Sequence, residues 1–340
     1  MLRTLMKRVL LLPPFKHIGE QLCDLYRPQH RSAPALNIPR FDVSTEEQFY
    51  DLLYAKGLLD ITGDFPRRDA EALERLVRDA LKRRLVVVEV GSWKGLSTAV
   101  LARTVMRVSG SVFAVDHWQG SEGVPHHDCA KTTDIFFVFR RNLMALGLWP
   151  VVHPLVMNSR TASRLFVDGS VDMVFLDADH RYTAVKQDIR WWLPKLRGGG
   201  ILCGHDCEGH YDSFSPAAQQ HLRAHMDDDC IPNIQHPGVV TVLRDTYGAS
   251  YSIKPYAAYP EHVRRQIERY IEEPWAPNGH PVCHPGTILA LNEYFGTQYT
   301  LMRNSTIWYH VRQGTVAVQT DSEETPAGLR QRDEGDRLLA

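Results

Sequence analysis

Residues 85–97 read LVVVEVGSWKGLS. The run from Leu85 to Val90 is short and almost wholly apolar, the pattern of a strand buried on both faces in a parallel sheet. It ends in Glu89-Val90-Gly91, and a helical pattern follows from about Leu96 to Met106. The glycines Gly91 and Gly95 therefore fall at a strand-to-helix turn. Glycines there let the backbone approach a ligand and let the helix start close to the strand. The spacing is E-x-G-x-x-x-G, which is neither the phosphate-loop pattern GxxxxGK[ST] nor GxGxxG.

The alternation continues downstream. Ser111–Val115 is a second strand ending at Asp116, Asp134–Leu146 a helix, Val151–Val156 a third strand and Thr161–Phe166 a short helix. Val171–Leu176 is a strand ending at Asp177, and Thr183–Leu196 a helix stopped by Gly198-Gly199-Gly200. Ile201–Gly204 is a fifth strand, ending at His205-Asp206. This rhythm predicts an α/β fold, a doubly wound, mostly parallel sheet with right-handed crossovers.

Around that core, 1–65 reads as an N-terminal helical arm. It includes a helix in FDVSTEEQFYDLLYAKGLLD with Ser44 as cap and Glu47 closing a capping box. A helix near Arg67–Arg83 opens the core, 66–206. Residues 207–286, rich in His, Pro and Asp, form an insertion over the sheet's functional edge, with one strand-like piece (Val239–Leu243) and one helix-like piece (Glu261–Ile271). The core ends in 287–318 with a helix near Thr287–Phe295 and a hairpin from Tyr299–Met302 and Thr306–Val311. Residues 319–340 read as a flexible tail, and no internal repeat is evident.

Composition narrows the function. Thirty-nine Lys and Arg face 40 Asp and Glu, a net charge of −1. That balance argues against nucleic-acid binding by bulk electrostatics. Six cysteines in 340 residues, with no CxxC pair, make no disulfide scaffold and suit a reducing cytoplasm. No apolar run is long enough to span a membrane. The opening MLRTLMKRVLLLPPF is read as an amphipathic helix docked on the protein or a partner, with weak membrane-surface contact as the second reading.

Asp116 closes the second strand about 25 residues after Gly91. A carboxylate there can accept two hydrogen bonds from a ribose diol, with a nucleoside laid across the strand ends. Asp177-Ala178-Asp179-His180 and His205-Asp206 follow adjacent strands at the carboxyl edge where such sheets bind ligands. Carboxylates and imidazoles gathered there can hold a divalent metal, Mg or Mn by donor type.

EVGSWKGLSTAVLA, FAVDHWQGSEG and VDMVFLDADHRYTAVKQDIRWWLPKLRGGGILCGHD resemble the class I S-adenosylmethionine-dependent methyltransferases. The strand-four and strand-five acids are similar to those of the metal-dependent sugar and macrocin-type O-methyltransferases, although the usual acidic pair is His205-Asp206 here. The resemblance implies S-adenosyl-L-methionine as cofactor, bound by Glu89, Gly91, Gly95, Ser97, Asp116, His117, Trp118, Asn158, Ser159 and Asp177. The expected site holds a divalent metal on Asp177, His205 and Asp206, with His180 as catalytic base and Asp179 as the alternate; the other reading is a metal-free site with His180 or His205 as base. The expected reaction is O-methylation of a small hydroxylated acceptor, a sugar or glycosylated metabolite. Two other readings stay open: a hydroxylase-like relative with a different reaction, and a non-catalytic nucleoside-binding or scaffold protein. Nucleic acid is not an expected partner, and homo-oligomerisation is left open.

Overall fold

The computed structural model describes residues 41, 45–55, 57–61, 63, 65–80, 84–121, 125–271 and 279–313. The expectations for the first 40 residues, for Ser44 and for the 319–340 tail lie outside these. Two helices come first, α1 (Glu46–Tyr54) and α2 (Arg67–Asp79). The α1 cap falls one residue later than Ser44. The Thr45 side chain accepts the Gln48 N–H and Gln48 reaches back to the Thr45 N–H, so an amide rather than Glu47 closes the box.

The sheet is built from β1 (Val86–Val90), β2 (Ser111–Asp116), β3 (Val152–Val156), β4 (Val171–Leu176) and β5 (Leu196–Gly204). Between them run α3 (Leu96–Met106), α4 (Pro125–Thr132), α5 (Ile135–Ala145), α6 (Ser159–Ser163) and α7 (Tyr182–Trp192). The order across the sheet is β3-β2-β1-β4-β5-β9-β8. The first five strands are parallel, while β9 (Trp308–Val311) runs antiparallel to β5 and to β8 (Thr300–Leu301). The expected α/β fold and closing hairpin are both present. Because β1 pairs with β2 on one side and β4 on the other, the sheet reverses direction between β1 and β4. Crevices for ligands open at such a switch. The central strands are apolar because helices cover both faces, and every β4 residue is buried.

Three local expectations are corrected. Gly198–Gly200 do not stop α7. The helix ends at Trp192, a single 3₁₀ turn follows, and the glycines lie inside β5. The short helix after β3 starts at Ser159, because the Asn158 side chain accepts the Thr161 N–H and caps it there. Val239–Leu243 is not a strand. It lies in α9 (Pro237–Tyr247), between α8 (Pro216–Ala224) and α10 (Glu261–Glu268), and its β-branched residues bury one helical face.

The structure also exposes a repeat. HPGVVTVLRDTYG at 236–248 and HPGTILALNEYFG at 284–296 each begin at a helix N-cap histidine with proline in the first turn, and each ends at a glycine. The second copy is α11 (Pro285–Phe295). Each copy is preceded by a short strand, β6 (Ile231–Pro232) or β7 (Val282–Cys283), and the two strands pair antiparallel.

Candidate active site

The turn after β1 is tight. Gly91 has φ +89°, and a Cβ there would lie 2.0 Å from the Asp177 carbonyl oxygen. The turn therefore presses on the exit of β4, where the Asp177 N–H also donates to the Val90 carbonyl. Gly95, also at positive φ, caps α3. Asp116 stands at the tip of β2 facing this turn. Its Oδ2 accepts the Ser92 and Trp93 N–H groups at 3.0 and 2.9 Å, and its Oδ1 accepts the Trp118 N–H at 2.6 Å. The acid stands at the strand tip as expected, and its oxygens hold backbone amides there.

Glu89 lies beneath the turn with no exposure. Its Oε2 accepts hydrogen bonds from the Ser92 and Thr98 hydroxyls, whereas buried Oε1 has no well-aligned partner among the described residues. Ser97 is buried beside it. Burial pushes Glu89 up from 4.5 to about 7, against the pull of those hydroxyls. A raised folded-state value means that its contribution to stability is complete below about 4.5 and lost as pH rises through about 7. Unfolding free energies in urea at pH 5 and pH 8 should show Glu89→Gln recovering about 3 kcal/mol of the wild-type loss. Asp188, also raised to about 7 by burial, leaves a remainder of the same sign. Equal pH slopes in wild type and variant would contradict this assignment.

The other expected cofactor residues divide. Trp118 is buried against Phe136 and Phe139, and its indole donates to the Trp93 carbonyl. His117 is half-exposed, its Nδ1 accepting the Gln119 N–H. Asn158 caps α6, and the Ser159 hydroxyl turns inward to Asp188 and the Trp192 indole. The glycine turn thus gathers Glu89, Gly91, Gly95, Ser97, Asp116 and Trp118, whereas Asn158 and Ser159 serve α6 and α7.

On the other side of the switch the ends of β4 and β5 converge. Asp177 Oδ1 lies 3.7 Å from His180 Nε2 and 3.6 Å from His205 Nδ1. Asp206 Oδ2 lies 2.9 Å from His180 Nε2, and its Oδ1 lies 3.1 Å from His205 Nδ1. Asp206 holds φ +61°, a left-handed conformation that costs free energy in a non-glycine residue. Asp179 does not join this hub. Arg181 takes both of its oxygens, which together hold its carboxyl below the usual range against burial.

Four groups that the sequence reading did not single out complete the hub. Asp69 of α2, 1% exposed, faces His205 Nε2 at 3.2 Å and accepts the Thr306 N–H. His284 approaches Asp206 Oδ1 with Nδ1 at 3.5 Å, and Glu208 clamps it by accepting from both its backbone N–H and its Nδ1. Asp229 meets His180 Nδ1 at 3.1 Å. The repeated His-Pro-Gly helix start was the available signal for His284. For Asp69 there was none, because a buried acid on a helix reads like any surface acid until its neighbours are known.

The charges reinforce one another. Burial alone would lower the imidazoles of His180, His205 and His284, yet the Asp206 carboxylate with Asp177, Glu208 and Asp229 raises all three well above 6.5. Burial alone would raise Asp206, and the three histidines hold it well below 3.8.

The donors fit a cation. Two groups of potential ligands, His180–Asp206–His284 and Asp177–His205–Asp206, have all their ligand atoms within 4.8 Å. His180 Nε2 is buried and lies 2.9 Å from Asp206 Oδ2, yet the two are not aligned as a hydrogen bond. The glycine turn fits a cofactor brought against backbone, with no room for a side chain at Gly91 and an orphaned Glu89 oxygen below.

Residues 88–207 match a family described as a methyltransferase domain, and the sheet has that family's Rossmann-like arrangement. Over that stretch the chain is similar to methyltransferase domains. An uncharacterized protein of Sinorhizobium fredii is 29% identical over 132 residues, 38% of this chain but only 14% of that longer protein. Among solved structures, the Bacillus cereus O-methyltransferase in complex with SAH is 23% identical, covers 56% of this chain and 79% of that one, and has a TM-score of 0.35. An O-methyltransferase family protein from Burkholderia thailandensis is 15% identical (72% and 55% covered, TM-score 0.38). An rRNA methylase from Streptococcus thermophilus is 17% identical (46% and 80% covered, TM-score 0.31).

The methyltransferase match ends at Cys207, so Asp69, Glu208, Asp229 and His284 reach the hub from outside it. Carboxylates that hold the far nitrogen of a ligating histidine set its tautomer, and their loss costs about 10–100-fold in metal affinity. Asp69→Asn keeps an acceptor for His205 but removes the charge. Mn²⁺ affinity by calorimetry should fall by about that factor in protein that is still folded by circular dichroism. Unchanged affinity would show that Asp69 only packs. Among the described residues, no helix is long and apolar enough to cross a membrane.

Proposed function

We propose that the chain is an S-adenosylmethionine-dependent O-methyltransferase for a small hydroxylated acceptor, a sugar or glycosylated metabolite, with cation-assisted deprotonation. The observation that carries this reading is the juxtaposition of the glycine turn with the hub: Gly91 packs against Asp177, which faces His180 and His205. S-adenosylmethionine supplies an activated methyl group on a sulfonium. Asp177, His205 and Asp206 would hold a divalent cation, whose charge would lower the pKa of an acceptor hydroxyl.

The chain's own groups then divide the work. Gly91 and Gly95 bring backbone against the cofactor, and Asp116 exchanges its amide partners for the ribose. His205, backed by Asp69 and the Phe65 ring, presents Nδ1 to the two acids. His180 and Asp179 were the bases suggested by the sequence. Asp179 is committed to Arg181, and His180 faces carboxylates that raise its imidazole well above its ordinary value against burial. We assign proton uptake to Asp177 instead, at Oδ2, with Oδ1 left to the histidines and the cation. Both its histidine contacts run through Oδ1, and it abuts the turn where the methyl donor lies.

Methyl transfer to a panel of free and glycosidic sugar hydroxyls, with and without Mg²⁺ or Mn²⁺, tests the reading. Asp177→Asn should lower the rate by about 10²–10⁴-fold at saturating cation. If His180→Gln abolishes turnover while Asp177→Asn does not, the base is His180. If neither matters, the hub is not the reaction centre.

A further inference from the structure

We propose that Trp93 is a cofactor-positioning residue, whose ring clasps α4 through His126 and holds that helix as a cover against the glycine turn. The proposal rests on the preceding reading that S-adenosylmethionine binds at the turn. It concerns a side chain and a helix to which that reading gives no role.

Positions 91, 93 and 95 of the turn all have positive φ, at +89°, +42° and +93°. Gly91 and Gly95 take such angles freely, but the middle position carries a tryptophan. A left-handed backbone costs free energy in a bulky residue, and it persists only where the surroundings over-determine it. Here they act from both sides. The Trp93 N–H donates to Asp116 Oδ2 at 2.9 Å, and the Trp93 carbonyl accepts the Trp118 indole at 2.8 Å. A glycine would make the same two backbone hydrogen bonds without strain. What glycine cannot supply is the ring.

The ring does not serve the core. Trp93 is only partly buried, and its indole meets the His126 imidazole edge-on, with centroids 4.6 Å apart and planes at 61°. His126 stands in the first turn of α4. No residue of α4 from His126 to Thr132 is buried. A helix without a buried face opens at low free-energy cost.

The start of α4 is nevertheless held close. At Gly120, with φ +67°, an added Cβ would lie 2.5 Å from the His126 carbonyl carbon. His127 Nδ1 lies 3.1 Å from the Gln119 carbonyl oxygen. Gln119 and Gly120 follow Trp118 directly, so α4 hangs from the stretch of chain that carries Asp116. The Trp93–His126 contact joins that stretch back to the glycine turn. Closure of α4 is thereby tied to the geometry of the turn.

Hydrogen exchange of residues 125–132 in the full chain, with and without S-adenosylhomocysteine, tests this together with calorimetric affinity. Without S-adenosylhomocysteine, α4 should exchange about tenfold faster in Trp93→Gly than in wild type. The urea midpoint should stay near that of wild type, because the strain leaves with the ring. With it, α4 should become protected in wild type and Trp93→Phe but not in Trp93→Gly, whose affinity should fall about tenfold. His126→Ala should reproduce that loss, and the double variant should lose no more than either alone. Unchanged α4 exchange in Trp93→Gly, or an affinity within about twofold of wild type, overturns the proposal. If wild type binds no S-adenosylhomocysteine, the methyltransferase reading fails instead, and the exchange of α4 without it still decides whether Trp93 is the clasp.

Discussion

Asp206→Asn should reduce methyl transfer by about 10³-fold and destabilise the fold by about 3 kcal/mol. No other residue touches as much of the hub. Its two oxygens face His180, His205 and His284, and its backbone is held at φ +61°. Removing its charge leaves one buried and two partly buried imidazoles short of a counter-ion. The histidines hold its carboxyl well below 3.8, so its stabilisation is present above that value and is lost as pH falls through the depressed one. Acid unfolding of wild type should therefore include a component absent from Asp206→Asn. Urea unfolding at pH 7 and pH 3, with initial rates at saturating acceptor, checks both halves. A variant within threefold of wild-type rate would remove Asp206 from the chemistry.

Gly91→Ala should be among the most damaging glycine substitutions at the described residues, costing about 4 kcal/mol or more. At φ +89° the added Cβ would fall 2.0 Å from the Asp177 carbonyl oxygen and 2.5 Å from its carbonyl carbon. These are backbone atoms, tied to Val90 by a ladder bond, so no side chain can swing aside. Relief requires β1 and β4 to part at the switch point, which separates the glycine turn from the hub. Gly147 is the control. Its φ is +70° with nothing within 4 Å of an added Cβ, so Gly147→Ala should cost only about 1 kcal/mol. Urea midpoints of the two variants compare them directly. Equal, small losses would mean that the turn has slack that the structure does not show.

The parallel sheet was legible because its strands are apolar runs that end in glycine or acid, and that pattern depends on nothing distant. The same holds for Asp116, Asp177, His205 and Asp206, each the residue at or just past a strand end. What failed to show was anything set by long-range contact. Val239–Leu243 is β-branched and reads as a strand, yet a proline and a capping histidine start a helix there. Gly198–Gly200 read as a helix stop but serve a strand. Asp69 and Glu208 gain their meaning from histidines 136 and 76 residues away in the chain. His180 was legible as a member of the site. Its setting among three carboxylates was not.

Calorimetric titration of the full chain with S-adenosylhomocysteine is the most direct test of the central claim. The account predicts one molecule bound per chain, with affinity weakened about tenfold or more by Asp116→Ala, which removes the ribose acceptor at the tip of β2. Absence of binding by either S-adenosylhomocysteine or S-adenosylmethionine, in protein that is folded by circular dichroism, would contradict it.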